Sequence, residues 1–271
     1  MTLEAEVLER PKDKTVEASM LFVEPGDGKP RVEFSYGSGE GIVTAVYTPR
    51  RVTIRDARRI LPHLDAEGFA LLRHRSAVRD FWDDAEAESV GRAEAAELVA
   101  RATGARRVHV FDHTQRRRAP DAIRQPSTRA HVDYTLKSAP QRVRDLFGDE
   151  AEALLARRFA FINAWRPIGH RAEDWPLALA DARSVAPADL VPTDIVYPDR
   201  RGEIYNLTYS PRHRWWYAPD MGLDEALLIK CYDSRPDVAR FTPHTAFENP
   251  LTRPGAPPRE SIEFRAIAFF D

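Results

Sequence analysis

At 271 residues, with 43% hydrophobic and 30% charged side chains, the chain has the balance of a globular protein able to bury a substantial core. Its formal net charge of -2 gives no electrostatic footprint for nucleic acid or an anionic membrane, so a polyanion partner is excluded. Cys231 is the only cysteine, which excludes an intrachain disulfide and a cysteine-rich metal cluster.

The opening stretch MTLEAEVLERPKDK lacks the apolar run of a signal peptide, and nothing approaches the roughly 18 to 20 apolar residues that span a bilayer. A cytoplasmic protein without membrane contact is expected. Between residues 17 and 54, apolar and polar positions alternate among Gly and Pro, which predicts a few antiparallel strands forming an N-terminal β extension. Residues 55–104 show apolar spacing of three to four, as in IRDARRILPHLDAEGFALLRH and SVGRAEAAELVARATGA. That pattern predicts a helical layer, with Gly104 as its stop. ARRVHVFDHTQRRR returns to strand periodicity, and a polar, basic stretch runs from 115 to 129. RAHVDYTLK then reads as a short extended segment, QRVRDLFGDEAEALL as a short helix, and LLARRFAFINAWRPI as a strand. The remainder is a series of short aromatic and β-branched segments separated by Pro, Gly and Asp turns. Many short strands predict a mainly β fold with flanking helices, a jelly roll whose core spans 106–271 within one domain, 1–271.

In RAHVDYTLK, His131 and Asp133 stand two apart, so on a strand both project from one face, about 6.6 Å apart, while Val132 points into the core. A His-x-Asp pair alone is equally an ordinary polar strand face. His109 and His113 fall on a strand, where about 13 Å separates them, too far to share a metal. His63, His74 and His213 read as solvated or packing residues. His244, in ARFTPHTAFENP, sits between Phe241 and Phe247 before a Pro-rich loop and is either a third ligand or a buried core histidine. After that loop, Arg259, Ser261, Glu263 and Arg265 share one face of a strand, with Ile262, Phe264 and Ala266 on the other. A charged face is ordinarily solvated, yet in a jelly roll such an arginine can point inward to pair with a carboxylate while Ser261 donates a hydroxyl. His-x-Asp, a distant His, then Arg-x-Ser is the order of a two-histidine, one-carboxylate triad followed by a 2-oxo acid anchor.

The stretches VFDHTQRR, HVDYT, INAWRPI, DWPLALADARSV, YSPRHRWWYAPDM, LLIKCYDS, RFTPHTAF and PPRESIEFRAIAF, in this order, resemble the CmcJ/NvfI-like oxygenase family over roughly residues 20–271. The resemblance implies a cupin-like double-stranded β-helix, non-haem Fe(II), 2-oxoglutarate as co-substrate with dioxygen, and a small-molecule substrate in specialised metabolism. It implies that His131, Asp133 and His244 hold the iron, and it assigns Arg259 with Ser261 to the 2-oxoglutarate carboxylate, Arg265 being the competing anchor. Asn163, Trp165 and Arg166 in NAWRP are candidates to line the pocket or hold the co-substrate, against core packing for Trp165 and a structural ion pair for Arg166. Asp181 with Arg183, and Lys230 with Asp233, read as structural pairs. Hydroxylation is the default outcome expected, with desaturation and cyclisation as variants. The rival readings are a triad metal oxygenase that does not use 2-oxoglutarate and an accessory subunit of a tailoring methyltransferase. Expected partners are accordingly the small-molecule substrate and either a second copy of the chain or a tailoring enzyme.

Overall fold

The computed structural model describes residues 15–35, 39–122 and 124–270. Its strands, in chain order, are β1 (Val16–Val23), β2 (Arg31–Ser35), β3 (Gly39–Val43), β4 (Tyr47–Asp56), β5 (Phe69–Arg73), β6 (Arg107–Arg117), β7 (His131–Val132) and β8 (Phe159–Pro167). They continue as β9 (Leu177–Ala180), β10 (Leu190–Val196), β11 (Arg201–Leu207), β12 (Trp215–Tyr217), β13 (Glu225–Asp233), β14 (His244–Ala246) and β15 (Glu260–Phe269). The helices are α1 (Arg92–Thr103), α2 (Ser138–Phe147) and α3 (Ala151–Leu155). Among the described residues no helix is long and apolar enough to cross a membrane.

Two sheets face each other in a double-stranded β-helix. The ten-stranded sheet runs β1-β4-β12-β9-β14-β7-β11-β10-β2-β3 and the five-stranded sheet β5-β13-β8-β15-β6. Strand β8, FAFINAWRP, is buried along its whole length because both its faces are covered. Phe159, Phe161 and Trp165 join the cluster between the sheets, whereas Ala160, Ile162 and Ala164 join the cluster under α1. Each fully buried aromatic here contributes about 2 to 3 kcal/mol of transfer free energy. Strand β15 divides the same way: Ile262, Phe264, Ala266 and Ala268 pack under α1, with Ala95, Leu98 and Val99 of that helix. Its other face carries Ser261, Glu263 and Arg265 into the interior, so the charged face is inward and not solvated.

The helical reading of 55–104 holds only for its second half. Strand β4 runs to Asp56, a single 3-10 turn covers Ala57–Arg59, and β5 pairs antiparallel with β13, Phe69 opposite Ile229. The apolar spacing misled because Leu61, which a helix would bury, is 95% exposed. Gly68, at φ +88°, breaks any helical run before Phe69. The loop is fixed instead by ions: Lys230 on β13 contacts Asp65 and, at 2.8 Å, Asp233, which also takes Arg158 at 2.7 Å. Helix begins at Asp84, passes through a π-helical turn over Ala87–Gly91 and continues as α1. The N-terminal strands are hydrogen-bonded into the larger sheet, β1 onto β4 and β4 parallel to β12, with Trp215 opposite Ile54. Strand β6 extends to Arg117, taking in the first three residues of the stretch read as polar and basic.

Candidate metal centre

Strand β7 is only two residues long, and Asp133 sits in the bend after it, not on the strand. The three residues converge all the same. His131 lies directly opposite His244 in the antiparallel β7/β14 register, which sets the two imidazoles side by side with ring centroids 4.6 Å apart. His131 Nδ1 lies 2.8 Å from the Arg129 carbonyl, and His244 Nδ1 lies 3.0 Å from the Thr242 carbonyl. A carbonyl only accepts, so each Nδ1 carries the hydrogen and each Nε2 presents its lone pair. Both Nε2 atoms point at one carboxylate oxygen, Asp133 Oδ1, at 3.3 Å from His131 and 4.0 Å from His244. One donor atom from each residue lies within 4.8 Å of the others. His244 is 4% exposed, and burial, followed by the neighbouring His131, lowers its pKa, which keeps the ring neutral near pH 7. Two imidazole nitrogens and a carboxylate oxygen, each an electron-pair donor when deprotonated, fit a divalent first-row cation.

The second oxygen of Asp133 faces the other sheet. Asn163 on β8 donates from Nδ2 to Oδ2 at 2.7 Å, and Arg265 on β15 places Nε 3.8 Å from the same atom. Burial works against the Asp133 charge, but His131, His244 and Arg265 outweigh it and hold the carboxyl well below its usual range.

The two arginines on β15's inward face differ in charge balance. Arg265 meets Glu263 and Asp112 at 2.9 Å each and Thr114 Oγ1 at 3.0 Å. Burial opposes its charge, yet Glu263, Asp133 and Asp112 prevail and raise its pKa. Arg259, 2% exposed, makes no salt bridge among the described residues. Its Nε donates to Ser261 Oγ at 3.2 Å, one terminal nitrogen donates to the Trp175 carbonyl at 2.8 Å, and its guanidinium lies 5.1 Å over the Trp165 ring. Desolvation and then the charge of Arg116 push its pKa down to about 9. Asp174 accepts from the Arg259 backbone N–H at 3.1 Å and pairs with Arg118, which anchors the turn that supplies the Trp175 carbonyl. Trp175 adopts the left-handed φ of +43°, a cost a non-glycine residue bears only where the surroundings impose it.

Sequence reasoning missed Arg116. It stands opposite Ser261 in the β6/β15 register, donates to the Gln125 carbonyl at 2.8 Å, and likewise makes no salt bridge among the described residues. Its signal was present as the strand periodicity of VFDHTQRRR, which continues far enough to turn Arg116 inward. The structure divides NAWRP: Asn163 reaches Asp133, Trp165 underlies Arg259, and Arg166 faces the opposite way, donating to the carbonyls of His74 and Leu223. Asp181 pairs with Arg183 at 2.8 Å and with Arg214 at 3.0 Å. An open cavity of about 470 Å³, lined by Arg171, Glu173, Asp220, Leu251 and Arg253, contains none of the triad.

A family model described as an oxidoreductase/YMDC permease-like domain matches residues 19–269. The chain is 32% identical over 268 residues to the Fe(II)/2-oxoglutarate-dependent dioxygenase nvfI of Aspergillus novofumigatus (strain IBT 16806), covering 93% of this chain and 96% of that relative. It is 33% identical over 279 residues to the hydroxylase/desaturase CTB9 of Cercospora beticola, covering 92% and 85%. A solved structure of the iron and alpha-ketoglutarate-dependent endoperoxidase NvfI matches with a TM-score of 0.86 at 30% identity, covering 94% of this chain and 98% of that one. Agreement of this extent in sequence and in backbone has one reading: the chain belongs to the NvfI-like family of Fe(II)/2-oxoglutarate-dependent oxygenases.

Proposed function

We propose that this chain is an oxidoreductase that uses Fe(II), 2-oxoglutarate and dioxygen to oxidise a small-molecule specialised metabolite. The observation that carries the assignment of iron to this place is the convergence of His131 Nε2, His244 Nε2 and Asp133 Oδ1, one donor atom from each residue within 4.8 Å of the others. Bound ferrous iron supplies dioxygen activation, coupled to oxidative decarboxylation of 2-oxoglutarate to succinate and carbon dioxide and to oxidation of the substrate. The protein's own part is to hold the reactants and keep bulk water out.

In this reading Arg259 and Ser261 take the distal carboxylate of 2-oxoglutarate, and Arg116 adds a second cation to the same end of the pocket. A buried guanidinium, Arg259, and a half-buried one, Arg116, neither with a carboxylate partner among the described residues, are the complement of a dicarboxylate end, whereas Arg265 already has its anions. Trp165 supports Arg259 from below, and the Asp174 turn limits its travel. Hydroxylation is the default outcome; desaturation, ring closure and endoperoxide formation draw on the same donors. The matched segment works as one domain, since β1 and β4 share a sheet with the strands of both histidines.

The test is an anaerobic titration of metal-free protein with Fe(II) and then 2-oxoglutarate, following the weak visible charge-transfer band, with Asp133→Ala as control. A band in wild type that disappears in the variant supports the assignment. Iron binding with no band removes 2-oxoglutarate from this site and favours a triad oxygenase that does without it. No iron binding removes the metal reading and brings forward the accessory-subunit alternative.

A further inference from the structure

We infer that Asn163 and Arg265 are positioning residues for iron, forming a cross-strand clamp that fixes the Asp133 carboxylate and thereby sets metal affinity. This rests on the assignment of Asp133 as an iron ligand, and it replaces the expectation that either residue binds the co-substrate.

The two residues lie directly opposite each other in the antiparallel β8/β15 register, so their side chains leave one face together. Both reach the same atom, Asp133 Oδ2: the Asn163 amide at 2.7 Å and Arg265 Nε at 3.8 Å. That leaves Oδ1 facing the two histidines. A clamp is needed at this residue in particular. His131 and His244 are paired in the β7/β14 ladder and each is oriented by a main-chain carbonyl, but Asp133 lies past the end of a two-residue strand. Its carboxylate orientation therefore comes from side chains of the opposite sheet.

Asn163 shows the direction of the design. Only its Nδ2 can face a carboxylate, so its Oδ1 points away and finds no partner among the described residues, although Asn163 is 1% exposed. A buried amide left half-satisfied is unfavourable for the fold and is accounted for by the one bond it does make. Arg265 is fixed before it meets Asp133, since Asp112, Thr114 and Glu263 hold its other nitrogens. It acts as a rigid wall behind Oδ2 more than as a dedicated counter-ion.

The experiment measures anaerobic Fe(II) affinity by equilibrium dialysis, together with 2-oxoglutarate affinity at saturating metal, in wild type, Asn163→Leu, Asn163→Ala, Arg265→Lys and Asp133→Ala. The clamp predicts Fe(II) binding weakened about 10- to 100-fold in both Asn163 variants. Their stoichiometry stays at one iron, their circular dichroism is native, and 2-oxoglutarate affinity is within threefold of wild type. Arg265→Lys, which keeps the cation and loses the planar fork, falls between wild type and the Asn163 variants. Unchanged iron affinity in both Asn163 variants, with loss in Asp133→Ala, overturns the clamp and leaves the ligand assignment standing. Weakened 2-oxoglutarate binding with unchanged iron affinity also overturns it and returns Asn163 to the co-substrate. Iron affinity retained in Asp133→Ala overturns the ligand assignment and the clamp with it.

Discussion

Replacing Arg259 by methionine removes the cation assigned to the distal carboxylate of 2-oxoglutarate while keeping an unbranched apolar stem in a site that is 2% exposed. Its present acceptors, Ser261 Oγ at 3.2 Å and the Trp175 carbonyl at 2.8 Å, are neutral, so a carboxylate supplies a direct ionic contact that this guanidinium lacks among the described residues. A hydrogen bond to a charged group contributes about 1.5 to 3 kcal/mol, and an arginine fork makes two to a carboxylate. Taking the lower figure for each, because existing contacts are partly given up, the variant loses about 3 kcal/mol, roughly 150-fold in Kd. The assay is anaerobic calorimetry of 2-oxoglutarate into metal-loaded protein. Arg259→Lys keeps a point charge without the fork and falls roughly tenfold short of wild type. The apo protein behaves differently. Burial and then Arg116 hold the folded pKa of Arg259 near 9, below the ordinary 12.5, so stability rises with pH between those values and the full electrostatic cost is present at pH 7. Methionine relieves that cost but strips a donor from the Trp175 carbonyl, and the two effects keep the apo Tm within a few degrees of wild type. A Kd for 2-oxoglutarate within fivefold of wild type in Arg259→Met refutes the anchor assignment.

His131→Ala and Asp133→Ala both lose iron binding and turnover yet remain folded by circular dichroism, because neither residue belongs to the hydrophobic clusters; full activity in either sinks the triad. Gly91→Ala places a Cβ 2.6 Å from the tip of the Phe264 ring at an ordinary helical φ of -62°, so the penalty is steric and amounts to about 1 to 3 kcal/mol by urea denaturation. Phe264→Leu in the same chain should recover part of it. Asp233→Ala leaves Lys230 and Arg158 without their buried carboxylate and costs about 3 to 5 kcal/mol, and a loss under 1 kcal/mol would show the network to be dispensable. His213, whose pKa burial lowers from 6.5, cannot take the proton the unfolded chain accepts, so stability declines as pH falls through 6.5. Asp65 and Asp181 oppose burial with Lys230 and Arg183 bonds and keep lowered pKa values, so their stabilisation is complete above 3.8 and is lost as pH falls further. A Tm that is flat from pH 7 to pH 3 contradicts both statements.

Periodicity put His131 and Asp133 on one strand face, although β7 ends at Val132 and Asp133 stands in the bend beyond it; joining that pair to His244 and Arg259 rests on the family resemblance. The fold class followed from the density of short strands. What periodicity cannot carry is what lies across the sheet. Arg259 and Arg265 fall on the same face of β15 and are equivalent to a strand-face argument; only the anions contributed by Asp112, Glu263 and Asp133, from three different segments, separate them. Asn163 and Arg116 are defined by the register of β15 against β8 and β6, which is a tertiary fact. The stretch 55–73 failed for a related reason. Its apolar residues are spaced for a helix, but pairing with β13 and the charges around Lys230 decide its conformation, and tertiary contacts override propensity.

Both imidazoles take their orientation from main-chain oxygens two residues upstream, at Arg129 and Thr242. Peptide carbonyls are present whatever side chain accompanies them, so drift at those two positions leaves the tautomer of either histidine intact. Mutation can therefore explore the surrounding residues without detuning the basicity of these nitrogens. A centre wired through its backbone in this way gives a lineage room to change what it oxidises while the oxidising apparatus stays as it was.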